Sequence, residues 1–200
     1  MARDAVHGEL PEEFVASFCA QTGAPVISSL AGSRHEFVLN PPAGKRTDDE
    51  TLTGLQRQCP SGRDVQIVVC DGLSARAVVT NVPDLLPMLE QGLKLEGLSA
   101  GTPVLVRNGR VAIADQIGHA LGTRLAINLI GERPGLSTAC GLSAYLTFNP
   151  GPASISSDRT VVSNIHAGGT PAAEAGAYIV ALAKRILENG VSGVRLQQLA

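Results

Sequence analysis

A chain of 200 residues that is 44% hydrophobic and 17% charged has a globular composition, which excludes a disordered or low-complexity protein. Its net charge of −2, its lack of Trp and its aromatic content of 3% argue against the basic, ring-bearing surface that nucleic-acid binding needs. No segment approaches the ~18 apolar residues of a membrane span, and the cysteines form no C-x-x-C pair, so we expect a cytoplasmic protein with reduced thiols.

The beginning of the chain predicts a small N-terminal segment of mixed helix and strand. A proline followed by two glutamates is typical of a helix start and predicts a helix over 11–21. The stretch GAPVISSLAGSRHEFVLNPPAG, 23–44, predicts two short strands around a Gly-Ser turn, and a polar helix follows over 48–59. We therefore divide the chain into this segment, 1–60, and a second domain, 61–200.

The second domain contains five short runs that are nearly all apolar and end in Gly, Pro or a polar turn. They are DVQIVVCDG, TPVLVRNG, TRLAINLIGE, LSAYLTFNP and TVVSNIHAGG. Continuous apolar runs indicate strands buried on both faces, as in a parallel sheet covered by helices. Helical patterns over 83–95, 113–121 and 171–189 fall among these runs. The sequence therefore predicts an α/β three-layer sandwich with a mostly parallel, Rossmann-like sheet.

The loops after the apolar runs form the candidate site. Ligands of such sheets bind beyond the carboxyl ends of the strands, where loops and helix starts gather polar groups. The loops are CDGLS, RNGRV, IGERPG and NIHAGG. The sequence has no G-x-G-x-x-G, G-x-x-x-x-G-K-[ST], G-x-S-x-G or H-E-x-x-H motif, which argues against dinucleotide, P-loop, hydrolase and zinc-protease sites.

Asp71 and Ser74 are the polar residues of the first loop. Asp71 could act as a nucleophile or an acid/base, but an aspartate at a strand end more often caps the following turn through its side chain. Ser74 stands where a cap for the next helix is needed. We favour capping roles for both residues.

The loop NIHAGG places Asn164, His166 and Gly169 in an arrangement that resembles the D-x-H-x-x-G loop of some corrinoid proteins. In that loop the histidine is a ligand of cobalt, and a carboxylate raises its basicity. The asparagine here offers only a neutral amide. We therefore favour a structural histidine, bonded to the backbone at a strand end.

Glu132 and Arg133 are adjacent charges in a turn whose backbone is restricted by Gly131, Pro134 and Gly135. Adjacent surface charges are usually a solvated pair of little energetic value. A stiff backbone, however, suits the presentation of a charged group to a ligand. The residues alone leave both interpretations open.

Several long motifs, read together and in register, point to one family. They are DGLSARAV, LEGLSAGTPVLVRNGRVAIADQIG, LIGERPGLS, DRTVVSNIHAGGTPAAEA and LAKRILENGVSG. From about residue 64 to 193 the chain closely resembles the small (light) subunit of ethanolamine ammonia-lyase, with weaker similarity at LPEEF near the start. The resemblance implies an adenosylcobalamin-dependent lyase that converts ethanolamine to acetaldehyde and ammonia through a radical rearrangement.

The resemblance also implies a division of labour between two subunits. A TIM-type barrel in the large (heavy) subunit holds the substrate and the catalytic side chains, and the small subunit closes the other face of the cobalamin within a large hetero-oligomer. The cofactor keeps its own dimethylbenzimidazole on cobalt, which argues further against His166 as a ligand. We expect this chain to supply no catalytic residue or metal ligand and to be inactive alone, in the cytoplasm or inside a bacterial microcompartment.

By position, the cobalamin contacts of the family fall on Val111 in GRV, Glu132 in GER and Val161 in DRTVVSN. Glu132 would accept hydrogen bonds from amides on the corrin rim, while main chain and small apolar side chains lie against the ring. The chain departs from the family at Val161, where Cys is common, and in lacking a longer, basic N-terminal region. Two alternatives remain: a purely structural partner subunit, or a stand-alone α/β enzyme that uses Asp71 or Glu132.

Overall fold

The computed structural model describes residues 6–135 and 138–199 and has α/β architecture around one six-stranded sheet. The strands are β1 (Val26–Ser28), β2 (Val65–Cys70), β3 (Val104–Arg107), β4 (Leu125–Gly131), β5 (Leu142–Phe148) and β6 (Arg159–Ile165). The helices are α1 (Glu12–Thr22), α2 (Arg34–Leu39), α3 (Asp49–Gln58), α4 (Ala75–Leu95), α5 (Ile113–Ala120), α6 (Ala172–Asn189) and α7 (Val194–Gln197). No helix in the described ranges has the length and apolar character needed to cross a membrane.

The strands lie in the order β1-β3-β2-β4-β5-β6. Strands β1, β3, β2 and β4 pair in parallel, whereas β5 is antiparallel to both β4 and β6. The predicted α/β class is confirmed, and the sheet is mixed because of β5. Along β5 the polar residues Ser143, Tyr145 and Thr147 alternate with apolar ones, which is the pattern of an antiparallel strand and not of a strand buried in a parallel sheet.

Helices cover both faces of the sheet, which makes the predicted three layers. Helices α1, α4 and α6 pack on one face, which we call the α4 face, and α3 and α5 pack on the other, the α5 face. Side chains alternate between the faces along each strand: on β4, Ile127 lies in the α4-face core and Ile130 lies in the α5-face core. Burial of apolar side chains on both faces is the main stabilising contribution.

The N-terminal segment differs from the prediction in one element. The second predicted strand is wrong, because residues 34–39 form α2. The Ser33 side chain accepts a hydrogen bond from Glu36 N at 3.2 Å, and Glu36 Oε2 accepts one from Gly32 N at 3.0 Å, so local capping starts a helix there. Strand β1 pairs with β3 and adds an edge strand to the main sheet, while a domain boundary at residue 60 stays a prediction.

Helix α4 begins eight residues before the predicted start, at Ala75 instead of Pro83. Ser74 caps it by accepting a hydrogen bond from Ala77 N at 3.2 Å, which confirms the role predicted for Ser74. Both Pro83 and Pro87 lie inside the helix, where the burial of a long apolar face offsets the missing donors. The other predicted helices of the second domain are confirmed, and α6 ends at Gly190 in the left-handed conformation.

The carboxyl ends of β2 and β4 approach so closely that glycine is required at both. Gly72 has φ +55°, and a Cβ there would clash with the carbonyl oxygen of Gly131. A Cβ on Gly131 would clash with the main-chain oxygens of Ser74 and Asp71. The two glycines let the loops after these strands pack side by side.

We predict that Gly131→Ala lowers the free energy of unfolding by about 3 kcal/mol, because neither backbone can move away without disturbing the sheet. Chemical denaturation measured by circular dichroism tests this. The matched control is Gly135→Ala in the same loop, where an added Cβ meets nothing within 4 Å. Equal effects of the two changes would contradict the packing described.

Candidate functional site

Asp71 organises the carboxyl edge of the sheet. It is 2% exposed, and its carboxylate accepts hydrogen bonds from Asn108 N at 3.0 Å and Gly109 N at 3.2 Å. The predicted cap of the following turn by the Asp71 side chain is wrong, because this carboxylate holds the turn after β3 instead. Asp71 therefore fixes the loop that leads to Val111.

The charge of Asp71 is balanced inside the protein by Arg34, whose Nη1 lies 3.3 Å from Asp71 Oδ2. Burial raises the pKa of Asp71, and Arg34 and the N–H donors of Asn108 and Gly109 oppose that rise. Burial also lowers the pKa of Arg34. A carboxylate engaged in this way stabilises the loop and is not presented to a ligand.

The loop that contains Val111 is also held from the N-terminal segment. Arg110 N donates to Gly44 O at 2.7 Å, and Arg110 Nη2 donates to Phe37 O at 2.9 Å. The Arg110 guanidinium lies 4.2 Å from the centroid of the Phe37 ring, a cation–π contact. These contacts give Val111 a defined position beside β4.

A row of residues crosses three strands on the α5 face, and two of the predicted site residues join it. Asn128 on β4 is opposite Tyr145 on β5, and Tyr145 is opposite Val161 on β6. Asn128 Nδ2 donates to Val111 O at 3.0 Å. Because residues opposite each other in adjacent strands share a face, Asn128 and Val161 lie on either side of Tyr145, and the bond from Asn128 attaches Val111 to this row.

Glu132 reaches the same row through Tyr145. Glu132 N donates to Gly141 O at 3.0 Å, which extends the β4–β5 pairing by one residue. The Tyr145 hydroxyl donates to Glu132 Oε1 at 2.8 Å. The pKa of Tyr145 is raised well above its usual value, mainly by burial and secondly by the hydrogen bond to Glu132. The hydroxyl therefore keeps its proton and stays a donor. We call Val111, Asn128, Glu132, Tyr145 and Val161 the Tyr145 corner.

The Tyr145 corner is open to solvent. Val161 is 46% exposed on an edge strand, and Glu132 and Tyr145 are partly exposed. Arg133, next to Glu132, is exposed. The structure thus brings together the three residues that the resemblance indicated, although they come from three distant parts of the chain.

A family model described as "Ethanolamine ammonia-lyase light chain (EutC)" matches residues 1–197. The chain belongs to the ethanolamine ammonia-lyase light chain family. It is therefore the light subunit of a lyase, and a light chain implies a heavy subunit as partner.

Sequence reasoning missed two residues of the light chain's Tyr145 corner, Asn128 and Tyr145. Both are polar residues inside strands, and Asn128 is 1% exposed. The sequence does contain a sign of both. Tyr145 belongs to the alternation of polar and apolar residues in LSAYLTFNP, and Asn128 is the single polar residue of the run LAINLIG. A polar side chain inside a buried strand needs a partner, and here the partners are the other residues of the corner.

His166 of the light chain has the structural role that was predicted. Its Nδ1 accepts a hydrogen bond from Gly168 N at 3.1 Å, so Nε2 carries the proton and faces Asn164 Oδ1 at 2.8 Å. Asn164 has φ +63° and makes the tight turn that places both partners around the ring. Both ring nitrogens are occupied by groups of the same loop.

We predict that the phenol of Tyr145 ionises well above pH 10 in the folded protein, because burial and Glu132 disfavour the phenolate. In Tyr178→Phe, Tyr145 is the sole tyrosine of the chain, so the near-ultraviolet phenolate absorbance reports on it alone. Since the unfolded chain ionises at about 10, the contribution of Tyr145 to stability is lost as pH rises above that value. An ionisation midpoint of Tyr145 near pH 10 in the folded protein would contradict the buried hydrogen bond to Glu132.

Proposed function

We propose that this light chain closes one face of adenosylcobalamin and that the heavy subunit supplies the other face, the substrate site and the catalytic side chains. The observation that supports the proposal is the convergence of Val111, Glu132 and Val161 at the Tyr145 corner. Residues with unrelated structural roles have no reason to meet on one open patch of a sheet. In this reading the chain binds and covers the cofactor and has no catalytic residue.

The groups at the corner fit the chemistry of a corrinoid, which has a broad apolar ring edged by amide side chains. Val161 offers an exposed apolar surface, and Glu132 offers a carboxylate beside it. Tyr145 occupies Oε1 of Glu132, and no hydrogen bond within residues 6–135 and 138–199 uses Oε2, which leaves this oxygen for an N–H donor. One fixed acceptor on an apolar surface is typical of a cofactor site.

When bound, adenosylcobalamin supplies the radical that starts the conversion of ethanolamine to acetaldehyde and ammonia. The residues of this chain orient the ring and exclude water from one side of it. Val161 stands where family members commonly have Cys, so its contact with the ring is made by main chain or methyl groups and not by a thiol. We place the assembled hetero-oligomer in the cytoplasm or inside a bacterial microcompartment.

The two alternative functions have less support from the geometry. A stand-alone enzyme would need Asp71 or Glu132 as an acid or base, but Asp71 is 2% exposed and paired with Arg34. A purely structural partner would have no use for a carboxylate oriented by a tyrosine at an exposed position. Cofactor binding accounts for both the orientation and the exposure of Glu132.

We predict that Glu132→Gln lowers the affinity of the heavy–light complex for cyanocobalamin by about tenfold, which corresponds to about 1.4 kcal/mol, because a charge-assisted hydrogen bond becomes a neutral one. Spectroscopic titration of the purified complex measures this. The matched control is Glu174→Gln, an exposed carboxylate on α6 across the sheet, which leaves the affinity unchanged. An unchanged affinity in Glu132→Gln would refute the role of Glu132.

We predict further that Tyr145→Phe weakens cyanocobalamin binding about threefold in the wild-type background and not in the Glu132→Gln background. The hydroxyl acts only through the carboxylate that it orients, so the two changes are not additive. The same titration on the wild type, the two single variants and the double variant gives the coupling energy between Tyr145 and Glu132. Full additivity would mean that Tyr145 does not position Glu132.

A further inference from the structure

Helix α6 packs one side into the α4-face core and turns the other side to solvent. The buried side includes Ile179, Ala183 and Ile186. Exposed residues recur every three or four positions along the opposite side, so they form one continuous stripe. We call this set the α6 stripe, and its members are Glu174, Ala177, Tyr178, Ala181 and Arg185.

The centre of the α6 stripe is apolar. An outward helix face usually carries charged and polar residues, whereas Ala177, Tyr178 and Ala181 lie at the middle of this one. Tyr178 is 58% exposed. The apolar surface continues onto α4, because Met88, which is 42% exposed, packs against Gly176. A contiguous exposed apolar face of this kind indicates a surface that binds another protein.

The two ends of the α6 stripe carry opposite charges. Glu174 lies in the first turn of the helix, and Arg185 lies about three turns further on. Neither side chain forms an ion pair with any residue that the structure describes. The neighbouring Lys184 does form one, since its Nζ lies 2.6 Å from Glu96 Oε2. Glu174 and Arg185 are therefore the two charges of this face that a partner can pair.

The order of these residues makes the α6 stripe complementary to itself. Tyr178 and Ala181 are equally far from the midpoint of the helix segment that Glu174 and Arg185 bound. If a two-fold axis through that midpoint relates two antiparallel copies of α6, Glu174 of each copy lies opposite Arg185 of the other. Tyr178 of each copy then lies opposite Ala181 of the other. A surface that pairs with itself in this way is the requirement for a symmetric contact between identical chains.

The small side chains of the α6 stripe allow two helices to approach closely. The axes of packed helices lie about 8–10 Å apart, and the side chains at the contact decide the distance. Ala177 and Ala181 allow the short end of this range and leave room for the Tyr178 ring of the other copy. A second copy thus matches the α6 stripe in both shape and charge, whereas an unrelated protein would need a separate match to each.

We propose that the α6 stripe binds the α6 stripe of a second light chain, in an antiparallel contact with two-fold symmetry. One helix face is smaller than the about 1,200–2,000 Å² of total surface that a stable interface buries, so a single contact of this kind is weak. Assemblies that contain several light chains form several such contacts at once, and linked contacts strengthen one another. The Tyr145 corner lies on the other face of the sheet, so the inference does not depend on cofactor binding.

Reversal of the charges tests the contact. The single variants are Glu174→Lys and Arg185→Glu, and each of them turns both ion pairs of the symmetric contact into pairs of like charge. The double variant carries both changes and restores both pairs with their charges exchanged. The matched control is Glu13→Lys, because Glu13 is an exposed glutamate in the first turn of α1, as Glu174 is in the first turn of α6.

Self-association of the purified heavy–light complex is measured by sedimentation equilibrium over a range of protein concentrations, and circular dichroism verifies that each variant is folded. We expect each single variant to raise the dissociation constant for self-association about tenfold, because two attractive pairs become two repulsive ones. The double variant and Glu13→Lys should keep the wild-type value. Rising salt concentration should weaken the association of the wild type, because salt screens exposed ion pairs.

Two results would overturn the inference. A double variant that associates as weakly as the single variants would mean that Glu174 and Arg185 face a different protein, such as the heavy subunit, and not each other. Particle masses that are the same for the wild type and both single variants at every concentration would mean that two light chains do not meet at α6.

Discussion

The hydrogen bond from the Tyr145 hydroxyl to Glu132 exists because β5 runs antiparallel between β4 and β6. This arrangement places Tyr145 opposite both Asn128 and Val161, and it leaves Glu132 one position beyond the last pair of β4 and β5. A shift of β5 by one residue would turn Tyr145 to the α4 face and separate these groups. The register of a single strand therefore determines whether the Tyr145 corner forms.

The rest of the carboxyl edge supports that corner. Asp71 is buried at a cost in desolvation, and its bonds to Arg34 and to the turn after β3 offset part of that cost. The result is a rigid loop that presents Val111 beside β4. The close approach of Gly72 and Gly131 brings the loops after β2 and β4 together in the same way. The charge of Asp71 thus fixes the geometry of the loops, whereas the carboxylate of Glu132 stays partly exposed.

The α/β class and most helices could be predicted because they depend on local signals: apolar runs, capping residues and helix-ending glycines. The two failures have physical causes. The residues of α2 have the apolar content of a strand. They form a helix because the Ser33 side chain caps its first turn. The predicted start of α4 at Pro83 comes eight residues late, because burial of a long apolar face carries the helix through both of its prolines.

The candidate site shows a different limit of prediction from sequence. Val111, Glu132 and Val161 came from the resemblance, and no local pattern indicated that they meet. Their proximity depends on strand order and register, which are set by the whole sheet. Tyr145 could have been noticed from the polar alternation along β5, but its partner Glu132 could not, because a hydrogen bond across neighbouring strands has no signature in either segment.

The central claim is that the open corner around Tyr145 is one half of a corrinoid seat. Electron cryomicroscopy of the heavy–light complex with cyanocobalamin tests it most directly. We predict corrin density against Val161, with a rim amide within hydrogen-bond distance of Glu132. A complex in which the heavy subunit covers this corner with its own side chains, and the corrinoid lies elsewhere, would contradict the account.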